Sequence, residues 1–189
     1  MTYTKSNGIL KRLGALVMAL GLTCALAVSA SAATSDDLAG EYTVTFLKNG
    51  QDSTSMSDRA VGNRTAVVSV EDGVATVTIE LKPIEGYLGA DGWVASVQVP
   101  GAEAEVVGQG GEYGDIKTIL GGSHATNFHF YETATLTITT DTLVADDDGT
   151  IKISNVQPTT ELVYAGTKTH YVLPSSMVNA EFDIELVKQ

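Results

Sequence analysis

The sequence predicts an all-β fold, a sandwich or barrel of about eight or nine antiparallel strands with one long Gly-rich loop. Three observations carry this. Segments in which β-branched residues alternate with polar ones at a period of two recur from residue 41 to residue 187. Asp-Gly and other turn-forming clusters fall between them. Nothing in the same span favours a long helix, and no repeat period emerges.

Residues 1–32 read as a secretory signal and not as part of that fold. Lys5, Lys11 and Arg12 form a basic start, Leu13 to Val28 is an apolar run, and Ala30-Ser31-Ala32 places small residues at a cleavage site. Ala33 is the expected new N-terminus, and 33–189 the expected single domain. Cys24 raises a lipid anchor as the competing reading, but Gly21 and Thr23 stand where lipoprotein signals carry a branched apolar and a small residue. The protein is therefore expected to be secreted and extracellular, free or associated with a cell surface.

Cleavage there leaves eight of the 11 Lys and Arg and all 23 Asp and Glu, so the formal charge falls from −12 to −15. A surface this acidic repels phosphate backbones and anionic lipid, which excludes nucleic acid as the expected partner. Cys24 is the one cysteine and leaves with the signal, so neither a disulfide nor a thiolate metal site is expected. Stability must come from a packed core, and residues 33–189 suffice to bury roughly two-thirds of their unfolded surface.

Strands are expected, in order, over 41–47, 65–70, 74–81, 93–99, 133–145, 150–156, 160–165, 169–173 and 180–187. The clearest pairing joins the second and third through Glu71-Asp72-Gly73, since Asp-Gly supplies the positive φ angles of a tight hairpin. A further turn is expected at Asp146 to Gly149. Between Pro100 and Gly122 lie seven glycines and little strand signal, so a long surface loop is expected there.

Few residues suggest reaction chemistry. His124, His129 and His170 are the only histidines, and no pair has metal-ligand spacing on a predicted element. The run Asp146-Asp147-Asp148 lacks the spaced acids and distal Glu of a calcium loop. No G-x-S-x-G elbow, phosphate loop or dinucleotide fingerprint is present. A hydrolase would need His124 or His129 to converge with a nucleophile under the Gly-rich loop, and the sequence points instead to a protein that binds without catalysis.

The segment "STSMSD" (53–58) is expected to form one helical turn after the first strand, with Ser53 or Ser55 capping it and Met56 at the core edge. Together with the opening strand, "RTAVVSV", the "EDG" turn and "VATVTIEL", it resembles the first half of a NEAT domain, the immunoglobulin-like haem-capturing module of Gram-positive cell surfaces. The resemblance covers about Gly40 to Leu81 and resumes in "YVLPSSMVNAEFDIEL" (171–186), which is similar to that family's closing hairpin. It implies an immunoglobulin-like sandwich, with haem or a haem-bearing protein as ligand. Ser55 and Met56 would form the lip over the pocket, meeting propionates and porphyrin respectively. The family's Y-x-x-x-Y motif falls on Val178 and Phe182, so its usual phenolate ligand is missing. Met177, beside Val178, and Met56 are the thioethers that could replace it, although strand alternation turns Met177 to the opposite face unless a bulge re-aims it. The alternative is a structural or adhesive sandwich that has kept the architecture and lost the pocket.

Overall fold

The computed structural model describes residues 36–87, 89–109, 117–118, 130–164, 166, 169–174 and 180–189. Their strands are β1 (Gly40–Lys48), β2 (Val61–Glu71), β3 (Val74–Leu81), β4 (Ile84–Tyr87), β5 (Ala90–Gln98), β6 (Glu103–Gln109), β7 (Lys117–Thr118), β8 (Thr133–Thr140), β9 (Ile151–Tyr164), β10 (Thr169–Pro174) and β11 (Phe182–Lys188). Short 3₁₀ turns occupy Asp36–Leu38 and Met56–Ala60. No helix among the described residues is long and apolar enough to cross a membrane.

The strands form one curled sheet in the order β4-β5-β9-β11-β1-β2-β3-β8-β6, with β10 paired to β9 and β7 to β10. Every pairing is antiparallel except β7 with β10. The curl makes two layers of an immunoglobulin-like sandwich. Alternation decides which side faces inward: Val44 and Phe46 of β1, Val77, Ile79 and Leu81 of β3, Leu136 and Ile138 of β8, and Ile184 and Leu186 of β11 are buried, while the residues between them face outward. Phe46 stacks on Phe182 with ring centres 4.5 Å apart.

In the second layer, Trp93 is buried on β5 and its Nε1–H donates to the Tyr131 carbonyl at 3.0 Å. The Tyr131 hydroxyl lies 3.2 Å from both the amide nitrogen and the carbonyl oxygen of Val94, and burial raises its pKa well above the ordinary value. Both polar groups are thus satisfied inside an apolar layer.

Three differences from the sequence expectation have physical causes. The strands expected at 150–156 and 160–165 are one strand, β9. Pro158 falls where its partner changes, because β11 pairs with Ile151–Val156 and β10 with Thr159–Tyr164. Proline, which cannot donate, is tolerated in that gap. Second, the expected loop from Pro100 to Gly122 contains β6, an edge strand on β8, and the two-residue β7; the remainder from 110 onward lies outside the described residues. Its half-exposed Glu-Ala-Glu-Val pattern is weak as a sequence signal, and pairing with β8 decides the matter. Third, the 171–186 segment is not itself a hairpin, since β10 and β11 each pair with a different half of β9.

The turns follow the sequence closely. Glu71 pairs with Val74 across Asp72 and Gly73, whose φ angles are 52° and 77°. At the Asp146–Gly149 turn, the Gly149 N–H donates to the Asp146 carbonyl at 2.9 Å. A Cβ at Gly73 would meet nothing within 4 Å, so the conformation alone constrains that position. Gly73→Val is expected to cost about 1–3 kcal/mol, the strain of a β-branched residue at positive φ. Thermal or urea unfolding checks this, and an unchanged midpoint contradicts it.

Candidate functional site

Met56 opens a 3₁₀ turn that is held from several directions. Ser55 is its N-cap, with Oγ accepting from the Ser57 N–H at 3.3 Å. The Ser55 N–H donates to the Phe46 carbonyl at 2.8 Å, and the Phe46 N–H donates to Asp58 Oδ1 at 2.9 Å. The same carboxylate oxygen accepts from Arg64 in an ion pair. Asp58 is buried, so it joins the turn to β1 and β2 from inside.

Arg64 reaches Asp58 because β2 bulges. Pairing with β3 breaks between Val61 and Ala66, and Arg64 stands in the bulge at φ 64°. The Asn63 side chain accepts from the Thr65 N–H at 2.9 Å, which supports this local turn. A bulge commonly re-aims one side chain. Here it aims a guanidinium.

With its turn fixed, Met56 projects outward and is 48% exposed. On one side lies an apolar groove of about 260 Å³, walled by Met56, Ile84, Thr160, Leu162, Leu173 and Ala180. Gly92 lies behind the Leu162 wall, where a Cβ would stand 2.8 Å from Leu162 Cδ2. Glycine lets the Leu162 side chain lie against β5. On the other side Ser55 and Met56 border a more polar cleft of about 440 Å³ with Lys48, Asn49 and Glu181. Tyr171, paired across the hairpin with Leu162, meets Tyr164 edge-on at 5.6 Å.

Ser55 and Met56 are neighbours on this turn, and both border the polar cleft. Phe182 is fully buried against Phe46, the residue whose main chain holds the turn, and lines neither the groove nor the cleft. Met177 and Val178 lie outside the described residues, as do His124 and His129. His170 is buried with Nε2 3.5 Å from Glu161 Oε2, and Phe130 meets its ring edge-on at 5.8 Å. Burial lowers the His170 pKa and Glu161 opposes that shift. No group of three or more His, Cys, Asp or Glu among the described residues could hold a metal ion. Sequence reasoning missed the bulge at Arg64 and the groove wall at Ile84. The Gly62-Asn63 pair was the available signal for the first, and the second depends on tertiary packing.

Fold and turn together define an immunoglobulin-like β-sandwich with an exposed thioether beside an apolar groove. No protein-family model matches the chain, and no curated protein matches it. Among solved structures it is similar to the NEAT5 domain of IsdX2, a B. anthracis hemophore in complex with heme, with 14% identity over 78% of this chain and 95% of that one and a TM-score of 0.39. A likeness at this distance carries no argument about what the present chain binds.

Asp58→Ala is expected to destabilise the protein by about 1–3 kcal/mol, because it leaves the buried Phe46 N–H without its acceptor. Asp58→Asn, which keeps an oxygen there, should cost less. Unfolding curves of the two variants check the order. For His170, burial favours the neutral ring, so the unfolded chain takes up a proton first as pH falls. The stability contributed by neutral His170 is present above the unfolded pKa of about 6.5 and declines as pH drops through it towards the lowered folded pKa. His170→Gln should flatten that part of the stability–pH profile.

Proposed function

We propose that the protein is a non-enzymatic, secreted binding module that takes a flat, largely apolar ligand of the porphyrin class, haem or haem carried by another protein, against Met56. The observation that supports this reading best is Met56 itself. A flexible, polarizable thioether stands nearly half exposed on a turn secured by buried hydrogen bonds, beside an apolar groove. Covering such a side chain and the walls of Leu162 and Leu173 with a planar apolar ligand removes hydrocarbon surface from water, at roughly 25 cal/mol per Å².

In this reading Met56 packs on the ring face and Ser55 lies at the ligand's polar edge. The Ser55 oxygen accepts from Ser57, and its hydroxyl proton can still be donated. Phe182 acts through packing, by supporting Phe46. The family resemblance puts Val178 at the iron-ligand position, where it offers no lone pair, so any axial donor is the thioether of Met56 or Met177. The groove's 260 Å³ is below the roughly 300–1,000 Å³ of sites that enclose a small molecule. The same small volume favours the second reading, a structural or adhesive sandwich in which the groove is a surface depression.

Titration of the purified protein with hemin, followed by visible absorption, separates the two. The expected result is a Soret shift whose midpoint weakens in Ser55→Ala and Met56→Ala and tightens in Val178→Tyr. An unchanged spectrum with both the wild type and Val178→Tyr, with circular dichroism showing an intact fold, leaves the structural sandwich.

A further inference from the structure

A second groove, of about 490 Å³, lies on the far side of Ile84, which it shares with the apolar groove as a common wall. Arg59, Arg64 and Lys82 line it. The sequence has only three arginines, and two of them meet here in a chain with a formal charge of −12.

Their placement is specific. Arg59 ends the Met56–Ala60 turn and donates through Nη2 to the main-chain carbonyl of Glu85 at 3.0 Å, not to its carboxylate. Arg64 is aimed by its bulge at positive φ and anchored through one nitrogen on Asp58. Lys82 is set by its own N–H, which donates to the Ala60 carbonyl at 2.8 Å. Glu85 and Glu132 also border the groove, yet Arg64 with Asp58 is the one ion pair of the groove's cations among the described residues. Each guanidinium carries five N–H donors in a planar fork, and each has one engaged here.

A residue held at strained φ, with a buried carboxylate fixing its direction, has its guanidinium oriented in advance, so less side-chain freedom is lost on binding. That fork, the Arg59 fork held on the Glu85 carbonyl and the Lys82 ammonium line one cleft and match the lone pairs of an oxyanion. Glu85, Glu132 and Asp58 balance the three positive charges, so recognition rests on short-range donation more than on a long-range field.

We propose that Arg59, Arg64 and Lys82 form an oxyanion site that takes a carboxylate or phosphate group of a small ligand. Two sources share this chemistry: a carboxylate arm of a ligand seated against Met56, which rests on the porphyrin reading above, and a free phosphate-type anion, which does not.

The test uses the Nε–H signals of Arg59 and Arg64 in ¹⁵N-labelled protein of residues 33–189, assigned with Arg59→Gln and Arg64→Gln. Inorganic pyrophosphate is expected to move the Arg59 and Arg64 signals in a saturable way and leave the main-chain amide signals of the Asp72-Gly73 turn in place, and Lys82→Gln should weaken the midpoint several-fold. A parallel titration compares protoporphyrin IX with its dimethyl ester. If the carboxylate arm is the source, Arg59→Gln and Lys82→Gln lower affinity for the diacid by about tenfold and leave the ester unchanged, whereas Met56→Ala weakens both. Saturable pyrophosphate binding with no porphyrin binding assigns the site to the free anion and removes the porphyrin reading alone. No saturable shift of Arg59 or Arg64 with either probe, or equal movement of the Asp72-Gly73 amide signals, overturns the proposal.

Discussion

The buried carboxylate of Asp58 sets the position of nearly all the exposed chemistry. One of its oxygens accepts from the Phe46 main chain and from Arg64, and its own N–H closes the turn onto the Ser55 carbonyl at 3.2 Å. Met56, Arg59 and Arg64 therefore take their directions from a single group inside the protein. A carboxylate in a buried site is costly unless its lone pairs are used, and here the partners that satisfy it come from β1 and from the β2 bulge. The turn, the strand and the bulge are consequently interdependent, and a change in one alters the presentation of the others.

That arrangement explains which parts of the molecule were legible in the sequence. Strands β1, β2, β3, β5, β10 and β11 follow from local alternation, because a residue that faces a core every second position leaves a pattern no other structure explains as well. The Asp72-Gly73 turn was legible for a similar reason, since few residues adopt its dihedral angles cheaply. Ser55 as the cap of the Met56 turn was equally local, a short hydroxyl side chain satisfying an exposed amide.

The rest depends on partners far along the chain. Strand β6 has weak alternation and is defined by pairing with β8. Pro158 reads as an interruption until β10 and β11 are seen to divide β9 between them. Within the candidate site, Ser55 and Met56 could be placed from sequence because they sit on the turn itself. The groove wall at Ile84, Leu162 and Leu173 joins three segments whose side chains meet only after the sheet has curled. The Gly62-Asn63 pair marks a break in the strand, but the direction of Arg64 comes from a register shift that only the two paired strands define together.

Strand β9 has a consequence for how the molecule comes apart. Its first half is hydrogen-bonded within one layer and its second half within the other, with β5, β10 and β11 all attached to it. Its second half is the interior strand between β5 and β10, and its first half closes the other layer against β11. Loss of β9 exposes the inner faces of both layers at once, so the two have no separate melting transition and share one cooperative unit of local stability. Amide protons along β9 exchange with solvent through the same global opening, whichever layer they belong to.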